Sequence, residues 1–495
     1  MHSYYNNTGR RIFFWSLVVF YITIIGILIP FAFGYHFSFE RGVFIYAGSV
    51  TIKTNPRDVH IMIDNKPVKN ATYINNTYNI NNITPGNHIL TITHNDFQPF
   101  TKKITVSSGV STEFWNVILP RTNYQRTVIN NALPSTAFYH TPDMTLFATP
   151  FIKNGALTLT ITDITAKDHP TQKTFTLATR MSVALDTAQN LEWSRNTQML
   201  IIPIIYTKPT AKQSSSDALI VATDNTYQTS LRDIFPDAQH IKSVRWNPHK
   251  DNTLYAQIDN TLVEITLPQN KREDVRTKLI ANDVRTYTIA NDALYYLAVQ
   301  TGIVHRITKN TAESYQITTT PTTITDTNVT LTVYDDNSLV IRGNESNVLE
   351  IFNHAFAQEP LRRINVRGTH FSDDGKKLLY WSDREISILF LHQWNVQPLR
   401  NAGDDTTIAR FSTPIANVQW ARDYEHVLYT VDNTVKLTSL DERGGRITYS
   451  LLKGYDNDIT LMRADNDHRR LYITEKNVDN TSLFFINFPE KNGFF

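Results

Sequence analysis

Histidines, paired aspartates and tryptophans are the side chains of this 495-residue chain that could do chemistry, and their spacing decides what each can do. His240, His249, His305, His354, His370, His392, His426 and His468 never recur at i, i+4, the spacing that sets two imidazoles on one helix face for zinc. A solitary histidine in or beside a strand reads as satisfied structure. Asp335-Asp336, Asp373-Asp374, Asp404-Asp405, Asp456-Asn457-Asp458 and Asp465-Asn466-Asp467 could supply oxygens to calcium. None follows a calcium loop, which needs several oxygens on one turn and a bidentate glutamate. Most fall where a repeat demands a hairpin turn, and that is the role expected of them. A phosphate-binding glycine loop, a HExxH pair and a GxSxG nucleophile elbow are missing from the sequence. With no cysteine, disulfides, thiolate metal sites and a cysteine nucleophile are excluded together. No catalytic, cofactor-binding or metal-ligating residue is therefore expected. Trp193, Trp246 and Trp420 could stack on sugars, but each sits at a repeated position and reads as core. Trp394 lies outside the repeat and is the single candidate for a ligand contact. The Asn70-Ala71-Thr72, Asn328-Val329-Thr330 and Asn480-Thr481-Ser482 sequons read as by-products of a composition rich in Asn and Thr. A formal charge of +2 gives no case for nucleic acid.

The elements that must position these residues are strands. Residues 369–391, THFSDDGKKLLYWSDREISILFL, read as a strand end, a tight turn at Asp374-Gly375, a strand over 377–381, a second turn and a strand over 385–391. Degenerate copies run down the last three quarters of the chain. Each is anchored on a residue just before a turn: Phe138, Trp193, Trp246, Ile289, Leu331, Phe371, Trp420 and Arg463. An apolar or aromatic pair follows several, as in Leu254-Tyr255, Leu379-Tyr380, Leu428-Tyr429 and Leu471-Tyr472. The anchors recur every 40 to 55 residues or so, the length of a four-stranded propeller blade.

Upstream, residues 12–33, IFFWSLVVFYITIIGILIPFAF, carry no charge and are long enough to cross a bilayer as a helix. A cleavable signal has an apolar region of only about 7 to 15 residues that ends at small side chains. This run is longer and finishes Pro30-Phe31-Ala32-Phe33, so an uncleaved anchor is expected. Arg10-Arg11 precede it, which predicts a cytoplasmic tail and an extracytoplasmic remainder. Residues 48–121 alternate with period two at Val50-Ile52, Val59-Ile61-Ile63, Ile89-Thr91, Ile104-Val106 and Trp115-Val117-Leu119, with turn residues between.

That unit resembles the PEGA domain, a small β-sandwich of bacterial and archaeal envelope proteins. The resemblance rests on Gly48-Ser49-Val50, Asn55-Pro56, the hairpin over 61–66 and Ile83-Thr84-Pro85-Gly86-Asn87-His88. The name-giving tetrapeptide falls on Pro56-Arg57-Asp58-Val59, where only the proline agrees. The repeats resemble the TolB-type or WD40-like propeller, with Phe371-Ser372-Asp373-Asp374-Gly375-Lys376 nearest its turn motif and Trp193-Ser194-Arg195-Asn196 and Trp246-Asn247-Pro248-His249 weaker. The PEGA resemblance implies an envelope setting and carries no established catalytic residues.

The expected architecture is all-β. It comprises a tail (1–11), a transmembrane anchor (12–33), a linker (34–47), a PEGA-like sandwich (48–121), a polar connector (122–135) and a seven- or eight-bladed propeller (136–495). The function expected is non-catalytic binding of cell-wall polymer or envelope proteins through the propeller rim. The alternative is a propeller-type glycan hydrolase or lyase with carboxylates converging in one pocket.

Overall fold

The computed structural model describes residues 7–32, 35–38, 42–69, 71–74, 77–165, 170–177, 183–186, 189, 191–207, 214–268, 274–308, 313–354, 359–454, 458–478 and 480–489. The first six residues of the tail, Phe33 of the anchor, Asn70 of the first sequon and Asp456-Asn457 of one acidic cluster lie outside them.

Helix α1 (Asn7–Ala32) carries Ile, Leu, Val and Phe around its whole circumference and packs into no core. At 1.5 Å per residue its 26 residues run about 39 Å, enough to cross a hydrocarbon layer of about 30 Å. The stretch read as a linker is instead a hairpin, β1 (Tyr35–Ser38) against β2 (Val43–Tyr46).

Next comes a sandwich of two four-stranded sheets. One pairs β10 (Ser111–Ile118), β3 (Gly48–Asn55), β7 (Thr77–Ile83) and β6 (Thr72–Ile74). The other pairs β5 (Lys66–Pro67), β4 (His60–Ile63), β8 (Gly86–Thr93) and β9 (Phe100–Val106). Val50, Ile52, Ile80, Leu90, Ile92, Ile104 and Phe114 fill the space between them. Strands β6 and β7 give no clear sequence signal: Thr77–Ile83, TYNINNI, has asparagine at three of seven positions, which disfavours strands by propensity, and burial of Thr77, Ile80 and Ile83 overrides it. At the end of β10 Val117 and Leu119 are core as expected, but Trp115 is not. A register shift between Phe114 and Val117 turns Phe114 inward and leaves Trp115 half-exposed.

Among the described residues, eight further sheets form a β-propeller, so the blade number is eight. Blade 1 begins at Tyr139, and blades 2 to 8 at 183, 241, 284, 329, 368, 415 and 458. The polar connector supplies a strand, β11 (Thr127–Leu133), which pairs antiparallel with Thr481–Asn487 and becomes the outer strand of blade 8. The two ends of the propeller chain thus complete one four-stranded blade.

The tryptophan anchors are core, as their spacing implied. Each indole N–H donates to a carbonyl on the inner strand of the preceding blade: Trp193 to Tyr139 (3.1 Å), Trp246 to Glu192 (3.2 Å) and Trp420 to His370 (3.0 Å). Two anchors shift. In blade 1 the matching position is His140, since Thr141 N–H donates to Leu146 as Ser194 N–H does to Met199. In blade 8 it is Ala464, opposite Leu471, and Arg463 is exposed. The acidic clusters build turns. Asp374 Oδ1 accepts from Ser372 Oγ (2.7 Å) and Lys376 N–H, and Asp465 Oδ1 accepts from Asp467 and His468 N–H.

Candidate functional site

Antiparallel four-stranded blades sort their connections by face. Inner-to-second and third-to-outer turns lie on one face, and second-to-third and outer-to-inner connections on the other. Because β11 is an outer strand, the chain enters the propeller on the first of these, the near face, directly after the sandwich. The far face is thereby turned from the sandwich by topology alone.

The sandwich is docked on the near face through the hairpin loop 439–447 of blade 7 and the loop 391–404 of blade 6. Arg443 is the centre of the seam. Its guanidinium donates to Glu113 O (2.7 Å), Gln397 Oε1 (3.0 Å) and both carboxylate oxygens of Asp441 (2.7 and 3.1 Å), and lies 4.4 Å from the Phe114 ring centroid. Lys102 occupies an inward position of β9, and its ammonium donates to Asp441 O (2.8 Å). Burial pushes Lys102 down, opposed by Asp441. Burial also pushes Asp441 up, but Arg443 and Lys102 outweigh it and hold its carboxyl below the usual range. Gln397 binds the free edge of β10 twice, accepting from Glu113 N–H (3.0 Å) and donating to Ser111 O (2.9 Å). Ile118 at the end of β10 enters the core of blades 7 and 8, and Ile447 packs against both that core and the sandwich.

Trp394 lies at this seam rather than on the far face. It is half-buried, its ring centroid 4.6 Å from the Lys377 ammonium and 5.2 Å from that of Lys376. Lys377, itself buried, donates to Tyr424 O (2.6 Å) and pairs with Glu425, tying blade 6 to the near-face turn of blade 7. Trp394 covers that pair, with both ammonium groups already on its π-system.

The far face carries a cleft of about 840 Å³ between blades 3 and 4. Four connections build it: the approach to blade 3 (Gln239, His240, Lys242), the Asp259-Asn260 turn, the 299–302 turn and the approach to blade 5 around 322–327. Its charged floor is internally committed. Asp259 accepts from the backbone N–H of Gln239 and His240 (3.1 and 2.8 Å), and Asp326 from those of Glu345 and Ser346 (both 2.7 Å). Arg285 donates to Ile324 O (2.8 Å) and Asp326 O. Burial pushes Asp326 up, but the hydrogen bonds from Ser346 and Glu345 and the charge of Arg285 hold its carboxyl below the usual range. Among the described residues the side chains of Gln239, Lys242, Asn260 and Gln300 find no hydrogen-bond partner, so donors and acceptors converge on the cleft unused. The lining residues, spread over 239–327, share no motif and were invisible in sequence, since only the fold brings their four connections together.

The histidines do not assemble. His249 pairs with Asp292 (2.5 Å), His426 with Asp423 (2.7 Å) and His468 with Asp465 (2.8 Å), while His305 stacks on Tyr296. Among the described residues no three His, Asp or Glu side chains are grouped as metal ligands would be. Carboxyls raised by burial, Asp217 beside Ser230 and Glu425 beside Lys377, both lie outside the cleft.

No protein-family model matches the chain, and no curated protein sequence matches it. Among solved structures it is similar to the dihydro-heme d1 dehydrogenase NirN, at 13% identity and a TM-score of 0.41 over 85% of this chain and 81% of that one. It is also similar to Hsv2 of Kluyveromyces lactis (13%, 0.32, 48% of this chain and 70% of that one) and to the AfRom2 CNH domain (10%, 0.33, 60% and 93%). Similarity at this level carries no functional argument.

Proposed function

We propose that this is a membrane-anchored, extracytoplasmic envelope protein that binds cell-wall polymer, without catalysis, through the far face of its propeller. The observation that carries the reading is the cleft between blades 3 and 4, open on the face that topology turns from the anchored sandwich. Uncommitted amides and an ammonium around a floor of saturated charges suit a polyhydroxylated, near-neutral strand bound by many modest hydrogen bonds. Hydrolysis of a glycan calls for two free carboxyls, one held protonated. Asp259 and Asp326 are instead both spent on backbone N–H groups, which favours binding over hydrolysis. Arg10 and Arg11 before the apolar run support an inward N-terminus. The envelope setting is taken from the resemblance of residues 48–121 to PEGA domains, and a protein partner on the same face is the competing ligand.

The test is co-sedimentation of the detergent-solubilised chain with sacculi of the source organism, followed by analysis of released sugars. Saturable pelleting without sugar release, weakened in a Lys242→Ala/Gln300→Ala variant of unchanged thermal stability, is expected. Sugar release overturns the non-catalytic reading. Absence of pelleting turns the far face over to a protein partner.

A further inference from the structure

Several apolar side chains outside the far face are exposed together at the base of the sandwich. Tyr35 is 42% exposed, Tyr46 40% and Val110 52%. They are far apart in sequence and tied together in space. Strands β1 and β2 pair Tyr35 with Tyr46, whose rings lie 5.1 Å apart. Tyr46 then meets the β9–β10 turn: Ser108 Oγ donates to Tyr46 O (2.7 Å) and Gly109 N–H to Ala47 O (3.2 Å). Gly109 adopts φ +70°, and a Cβ there would stand 2.1 Å from the Tyr46 ring, so the glycine is what lets ring and turn touch. Val110 is the next residue, and its carbonyl accepts from Ser49 N–H (3.3 Å) at the start of β3.

This cluster is close to the end of α1. Only two residues separate Ala32 from Tyr35, so three Cα steps of 3.8 Å limit their separation to about 11 Å. The headgroup layer on one side of a bilayer is roughly 5 to 8 Å deep. A helix that crosses the hydrocarbon therefore delivers Tyr35 to that layer or its edge, and Tyr46 and the 107–110 turn come with it. Tyrosine suits this depth, its ring apolar and its hydroxyl hydrated.

We infer that the base of the β1–β2 hairpin and the 107–110 turn form a collar seated in the headgroup layer of the bilayer that α1 crosses, with Tyr35, Tyr46 and Val110 as its contacts. The collar fixes which end of the sandwich faces the membrane. Through the Arg443 seam it also fixes the propeller, so the cleft is held at a set orientation rather than swinging on a tether. This inference rests on the anchor reading of α1.

The absence of cysteine lets single labels report depth. The full chain carrying Val110→Cys, labelled with an environment-sensitive fluorophore, is reconstituted into phosphatidylcholine vesicles containing headgroup spin-labelled lipid. Leu17→Cys, in the helix and read with acyl-chain spin labels, reports the anchor, and Val478→Cys, 98% exposed on blade 8, is the aqueous reference. Emission at position 110 is expected to fall several-fold relative to position 478. Adding Gly109→Ala, which drives the turn off Tyr46, is expected to relieve that quenching. Position 110 unquenched while position 17 is quenched overturns the collar and leaves the anchor standing. Position 17 unquenched removes the anchor reading itself.

Discussion

Replacing Arg443 by alanine should loosen the sandwich from the propeller without unfolding either. Across the seam the side chain donates to Glu113 O (2.7 Å) and covers the Phe114 ring (4.4 Å), while Gln397 Oε1 and the two oxygens of Asp441, on the propeller side, hold the guanidinium in place. The one hydrogen bond to a charged group that crosses the seam contributes about 1.5–3 kcal/mol and the cation–π contact about 0.5–1 kcal/mol, and Arg443 keeps 27% of its side chain exposed. A total near 3 kcal/mol is therefore expected. At tenfold per 1.4 kcal/mol this raises the undocked population roughly 100-fold. The amide of Glu113 reports it, because its N–H is bonded to Gln397 of the propeller at 3.0 Å and exchanges only when the seam opens. Hydrogen exchange at Glu113 should accelerate roughly 100-fold while the sheet of blade 3 keeps its protection. Arg443→Lys, which keeps the charge and loses the fork, should fall between. Unchanged exchange at Glu113 refutes the reasoning, as does equal acceleration in blade 3, which would mark general destabilisation.

Gly444→Ala should open the same seam, because at φ +61° its Cβ would fall 1.8 Å from Lys103 O; Gly445→Ala, at φ +101° with nothing within 4 Å, isolates the backbone strain and should leave Glu113 exchange near the parent's. Trp420→Phe removes the indole donor to His370 O and should cost about 1–2 kcal/mol in denaturant unfolding, whereas Trp420→Ala should cost about 3–5 kcal/mol. Asp143, Asp423 and Asp441 are pushed up by burial but held below 3.8, Asp143 by hydrogen bonds from Thr141 and Thr145 and the other two by hydrogen bonds and neighbouring cations, so unfolding takes up protons. Their contribution is full above about pH 3.8 and is lost as pH falls through the lowered values, which thermal unfolding across pH will show. Glu425, raised by burial, works in the opposite sense: its contribution grows as pH falls towards 4.5, and Glu425→Gln should abolish that part of the profile.

What the sequence determined by itself was everything carried by local pattern. A charge-free run of helical length, period-two alternation and turn residues recurring at blade spacing identify the helix, the sandwich and the propeller, because hydrophobic burial and turn sterics act over a few residues. The tryptophan positions were legible as core for the same reason, and the aspartates as turns. Elements whose stability comes from partners distant in the chain were not legible. Thr77–Ile83 is a strand because its neighbours bury it, β11 because it closes blade 8 more than 320 residues away, and the 35–46 hairpin because it packs on the 107–110 turn. The far-face cleft belongs to the same class. Gln239, Lys242, Asn260 and Gln300 are ordinary loop residues in one dimension, and only the tertiary placement of their connections on one face makes them a site. Tertiary structure likewise decided the face. With the first propeller strand placed outermost in the last blade, antiparallel pairing leaves the chain one side on which to meet the sandwich, and the cleft opens on the other.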